Sequence, residues 1–164
     1  MIINPNAPGG FAIFCDDIRH EVTGKTTLVG AYNNQLIVNG SLPVTLPQIC
    51  AAITLRILPP KERIKPIVKI FRSDELEPLF VFEADIEPVE AQLIPAPLPH
   101  LETDSVTFMQ MGITAQIQGL VINEPCALKV RAFIGDDEVR LGSLQIVVHS
   151  LTAIAQDASD QSEA

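Results

Sequence analysis

Apolar and polar residues alternate with a period of two over most of this chain, and that period belongs to strands rather than helices. The clearest run is Ile49–Leu58: Ile49, Ala51, Ile53, Leu55 and Ile57 face one way, and Cys50, Ala52, Thr54, Arg56 and Leu58 the other. Leu128, Val130, Ala132 and Ile134 alternate with Lys129, Arg131 and Phe133 in the same manner. Phe80, Phe82 and Ala84 oppose Leu79, Val81, Glu83 and Asp85. Phe11–Ile18 reads as a further strand, with Phe11, Ile13 and Cys15 on one face and Ala12, Phe14 and Asp16 on the other. Lys25–Tyr32, Gln35–Val38, Ile64–Phe71, Val106–Ile122 and Val139–Val148 complete the set. The Val106 run should bend or bulge near Gly112 or Gly119, and Gly142 marks a bulge or a close backbone approach in the last strand.

The punctuation agrees with the period. His20–Gly24 is a polar turn in which Gly24 supplies a left-handed conformation. Asn33 and Asn34 form a tight turn, since asparagine tolerates that geometry. Pro43 and Pro47 bracket an extended crossing segment, Pro59-Pro60 ends a strand, and Pro95, Pro97 and Pro99 stiffen the connection Pro88–His100. The expected fold is all-β, a two-sheet antiparallel β-sandwich of about eight or nine strands, with at most one short helix near Ser73–Glu77 or Glu87–Leu93. Three stretches follow: a flexible lead over 1–10, a β-sandwich domain over 11–152, and a disordered acidic tail over 153–164.

Composition narrows the class of partner. The 164 residues are 47% hydrophobic, enough for one ordinary globular core. Twenty acidic against 11 basic residues give a formal charge of −9, which repels phosphate backbones and argues against nucleic acid unless a basic patch survives folding. Lys61, Arg63, Lys65 and Lys69, with Arg56 and Arg72, come nearest to one in sequence, and a solvated strand face with its turn is the simpler explanation of them. No window is long and apolar enough to span a membrane, and no secretory leader is evident, so a cytoplasmic location is expected. Cys15, Cys50 and Cys126 form no CxxC pair and read as reduced, buried thiols.

Several motifs invite chemistry. Gly24-Lys25-Thr26 matches the end of a phosphate loop, but Arg19 stands where the upstream glycine belongs, and the residues that follow are β-formers. Asp16, Asp17 and Glu21 form one acidic loop and Asp136 and Asp137 a second, the carboxylate-rich kind of loop from which sandwiches build calcium sites. The spacing is not that of an EF-hand, and Asp16 or Asp17 serves as well by pairing with Arg19 or capping backbone amides. His20, His100 and His149 lie in no catalytic motif. Phenylalanines at strand positions, Met109 and Met111 read as core or adaptable contact surface. The residues thus favour a noncatalytic accessory or protein-interaction domain without cofactor, joining a protein partner or a second copy through strand edges, with Ile49–Leu58 and Val106–Ile122 as the segments to watch. A small-ligand or calcium-binding module using the acidic loops is the alternative.

Phe11–Tyr32 carries a resemblance. Cys15-Asp16-Asp17-Ile18-Arg19, then Gly24-Lys25, then Gly30-Ala31-Tyr32 resemble the strand, turn and strand that open the members of an uncharacterised family of small bacterial and phage proteins. Gly142-Ser143-Leu144 with Val147 resembles that family's closing strand less specifically. The resemblance implies the β fold and no established activity.

Overall fold

The computed structural model describes residues 7–73, 75–90 and 108–149. Its ten strands are β1 (Gly9–Cys15), β2 (Asp17–His20), β3 (Thr26–Val29), β4 (Gln35–Asn39), β5 (Val44–Ile57), β6 (Ile67–Arg72), β7 (Phe80–Glu83), β8 (Met109–Ile122), β9 (Cys126–Ile134) and β10 (Asp137–His149). They form a three-stranded sheet in the order β1-β5-β8, a five-stranded sheet in the order β4-β10-β9-β6-β7, and the separate hairpin β2-β3. The all-β sandwich expected from the alternating pattern is the observed architecture.

The two large sheets meet through the residues that alternation assigns to the inside. Ile49, Ala51, Ile53, Leu55 and Ile57 of β5 face Val68, Ile70, Leu128, Val130, Ala132, Leu144 and Ile146 of the five-stranded sheet in one buried cluster. Phe14, Ile113, Ala115, Leu120 and Ile122 fill it from β1 and β8, and no charged or polar side chain is buried among the described residues. At about 25 cal/mol per Å² of apolar surface removed from water, this interior supplies the main force holding the sheets together.

Some boundaries differ from expectation, each for a local reason. Phe11–Ile18 is not one strand: the chain leaves the β1–β5 ladder after Cys15, turns at Asp16 and pairs instead with β3. That break accounts for the additional strand. Lys25–Tyr32 shortens to β3, because Gly30 (φ +64°) ends the extended run. Neither Asn33 nor Asn34 is left-handed, and the two do not reverse the chain into a hairpin. The chain passes on to β4, which runs parallel to β10 (Gln35 opposite Gln145), so one ladder of the sandwich is parallel. Pro47 lies inside β5 rather than outside it, and the β5–β8 ladder lapses for one step where this residue without an N–H faces Gly119. The irregularity expected in β8 is at Gly119 (φ +63°). There the inward positions pass from odd (Ile113, Ala115, Ile117) to even (Leu120, Ile122), while the register on either side is unchanged. The β9–β10 register shifts between Arg140 and Gly142. Ser73 turns with φ +46° and Glu87 is irregular, so the described parts of Ser73–Glu77 and Glu87–Leu93 contain no helix. The lead is ordered into β1 from Gly9 onward; most of Pro88–His100, His100 itself and the 153–164 stretch lie outside the described residues.

Candidate functional site

Residues that the sequence separates by up to a hundred positions converge where β1 ends. Tyr32 donates its N–H to Phe14 O (2.8 Å), and its hydroxyl donates a short hydrogen bond to Asp16 Oδ1. Asp16 N–H donates to Val29 O (3.0 Å), tying the kink to the end of β3. Gly30 leaves room for this: a Cβ built on it would overlap the Asp16 carboxylate. Burial first, and then the Asp16 contact, push the Tyr32 hydroxyl pKa up to about 12. The Asp16, Gly30 and Tyr32 of the sequence pattern are therefore three parts of one clasp, which fastens the β2–β3 hairpin to the three-stranded sheet.

Beneath that hairpin lie two thiols. Cys15 and Cys50 are directly opposed in the β1–β5 register, on the outer face of the sheet rather than in the core between sheets, yet they are 0% and 3% exposed. The covering element is β2. Gln48 Nε2 lies 3.5 Å from Cys50 Sγ, and the Asp17 and Ile18 backbone lies beside the Cys15 and Cys50 sulfurs. Burial pushes the Cys15 thiol up to about 11, with Cys50 and the Asp16 and Asp17 carboxylates adding to the rise. Cys50 is raised as well, mainly by burial. Gln48 also donates to Asp16 O (3.0 Å) and accepts from Gln116 Nε2, linking the clasp across the sheet to β8. A cleft of about 260 Å³ lined by Asp17, Ile18, His20, Cys50, Thr114 and Gln116 opens onto Cys50.

The acidic loops are engaged locally. Asp17 Oδ1 accepts Ile18 N–H (2.9 Å) and its Oδ2 pairs with Arg19 (3.3 Å), while Glu21 accepts Thr27 Oγ1 (2.9 Å). Asp136 and Asp137 sit in and just after the exposed β9–β10 turn, where Asp137 faces Ile134. Among the described residues no three His, Cys, Asp or Glu side chains come together as metal ligands. Gly24-Lys25-Thr26 closes a hairpin turn: Gly24 (φ +80°) donates to Glu21 O (2.9 Å), and Glu21 N–H donates to Lys25 O (2.8 Å).

The sequence-adjacent cations disperse. Arg63 grips Asp85 with two hydrogen bonds, Nε at 2.6 Å and Nη2 at 2.5 Å, and holds Asp85 below the usual carboxylate range. Arg56 lies over the Phe108 ring at 4.3 Å, and Arg72 approaches Glu75 at 3.8 Å. Cross-strand register assembles a different group that spacing along the chain does not reveal. Arg140, Arg131 and Lys69 stand side by side on the outer face of β10, β9 and β6. Glu138 pairs with Arg131 (3.1 Å), and Phe133 lies under Lys69 (5.5 Å).

The remaining feature is an edge. β5 is central, paired with β1 on one side and β8 on the other, so Ile49–Leu58 offers no free edge where β1 and β8 flank it. β8 pairs only with β5 among the described residues, and its fourteen residues, MQMGITAQIQGLVI, include no charge and no proline. Its exposed residues are Gln110, Gly112, Thr114, Gln116, Gln118, Gly119 and Val121. No helix among the described residues is long and apolar enough to cross a membrane. Residues 10–149 match the model of a family of unknown function, DUF6941. No curated protein matches the chain.

Proposed function

We propose that this chain, which belongs to the family of unknown function DUF6941, is a noncatalytic, cytoplasmic interaction protein that pairs with a second copy of itself along β8. One observation carries the reading: a fourteen-residue strand, uncharged throughout, has backbone donors and acceptors along an edge that no described strand covers. Natural sheets blunt such edges with lysine, proline or brevity, and β8 has none of these three. Both terminal strands of the other sheet are short by contrast: β7 has four residues and ends in Glu83, and β4 has five.

Two β8 edges meeting antiparallel give a twofold contact and a continuous six-stranded sheet, β1-β5-β8-β8-β5-β1. Neutral Gln110, Thr114, Gln116 and Gln118 then stand beside their counterparts without like-charge repulsion, which matters for two chains that each carry −9. Light scattering over a range of concentrations, with calcium and with chelator, tests this. A dimer is expected in both conditions, and Thr114→Lys with Gln110→Lys should convert it to monomer without loss of β signal. A wild-type monomer at every concentration would sink the self-pairing, and a mass that changes with calcium would move attention to Asp16, Asp17, Glu21, Asp136 and Asp137.

A further inference from the structure

Cys15 and Cys50 are placed as a cross-strand pair, and the backbone shows at what spacing. Phe14 O accepts Tyr32 N–H and Asp16 N–H donates to Val29 O, so the polar groups of Phe14 and Asp16 point away from β5. Cys15, between them, turns its own toward β5 and forms the hydrogen-bonded type of antiparallel pair with Cys50. The Cα atoms of such a pair lie about 5.5 Å apart, within the range that disulfides span, and both side chains leave the same face. The Cβ atoms, about 5 Å apart in this type of pair, close by about 1 Å when the bond forms.

We propose that Cys15 and Cys50 are an oxidisable dithiol: a low-molecular-weight disulfide entering by the cleft at Cys50 converts them to an intramolecular disulfide, and the Asp16–Tyr32 clasp controls its entry. The Cys50 thiol loses its proton to solvent, and its thiolate attacks one sulfur of the reagent. The Cys50–S–S–R bond forms as the reagent's S–S bond breaks, and RS⁻ departs and is protonated. The neighbouring Cys15 sulfur then attacks Cys50 sulfur, gives its proton to the second leaving RS⁻, and closes the bond. Two thiols are oxidised and one reagent disulfide is reduced to two thiols.

Gln48 Nε2, 3.5 Å from the Cys50 sulfur, favours negative charge on the attacking thiolate. Burial works against the thiolate and shields both sulfurs, so the step is slow while β2 lies in place. Cys126 stands in another sheet, opposite Ile146, and serves as an internal control.

The test is incubation of the full chain with glutathione disulfide, followed by thiol counting and peptide mapping. The expected product has lost two hydrogens, links the Cys15 and Cys50 peptides, and keeps Cys126 free. Tyr32→Phe should form it about ten to a hundredfold faster, the range that one hydrogen bond to a charged group represents. Three thiols persisting in wild type and variant, or a stable glutathione adduct on Cys50 alone, would overturn the assignment. An equal rate in a folded Tyr32→Phe protein would remove the clasp's part in it. The wild-type product decides the pairing even where the variant does not fold.

Discussion

Two glycines of the N-terminal third do different work, and the difference can be measured. Gly24 sits in an open hairpin turn at φ +80°, and a Cβ there meets nothing within 4 Å. Gly24→Ala therefore carries only the cost of a left-handed alanine, about 1 kcal/mol. Gly30 at φ +64° carries that cost too, and its new methyl group would also displace the Asp16 carboxylate from Tyr32. Gly30→Ala should cost about 3 kcal/mol, the backbone strain plus a lost hydrogen bond to a charged group. Denaturant midpoints at constant m-value give both numbers, and equal losses would mean that the clasp contributes nothing. The sequence offered the left-handed turn at Gly24, because a polar cluster before a β-branched run is a local signal. It also carried the Asp16, Gly30 and Tyr32 pattern, but not its meaning: a contact over sixteen positions depends on where two strands cross, which no local spacing states.

At the level of elements, what was legible is what alternates. β5 and β9 could be assigned face by face because their inward positions alternate with outward ones, whereas β8 was legible only as a long strand. The outer face of the three-stranded sheet was legible only in part. Cys15 and Cys50 lie on its solvent side by parity, and they are buried because β2 and β3 fold back over them. The parallel β4–β10 ladder was hidden for a similar reason: Asn33-Asn34 has turn composition, but its backbone does not reverse. The hairpin that covers the thiols should show itself under alkali. Tyr32 is raised from 10.0 to about 12 and Cys15 from 9.0 to about 11. For an acid whose pKa is higher in the folded state, the unfolded chain loses its proton first. Stability is then fully present below the unfolded value and is lost as pH climbs through the folded one. Unfolding free energy should therefore fall between about pH 9 and 12. Tyr32→Phe should flatten the upper part of that fall, and urea titrations at stepped pH measure it. An unchanged slope in the variant would detach Tyr32 from the stability of the fold.

The molecule as a whole depends on how closely its two sheets approach, and they come nearest through small residues. Ala12 of β1 stands opposite Ile53 on β5 and faces Gly142 of β10, where a built Cβ would lie 3.4 Å from that of Ala12. β10 makes its register shift at this point, between Arg140 and Gly142, and Leu141 is the additional, buried residue that points into the core. The bulge thus serves the assembly: it turns Leu141 inward and presents Gly142 to β1, so an edge strand of one sheet can settle against a strand of the other. A larger side chain at Ala12 would press on Gly142 of β10, whose backbone already approaches Ala12 closely, and on the buried cluster against which Ala12 packs. Ala12→Leu should destabilise by about 1–3 kcal/mol through displaced neighbours, despite its greater hydrophobicity. The free edge of β8 lies on the far side of β5, so the same variant should keep the dimer expected of wild type. Thermal unfolding and light scattering on one preparation separate the two effects. A stabilised Ala12→Leu protein would show that the seam is loose, and a variant that folds fully but no longer pairs would show that β1, not β8, carries the contact.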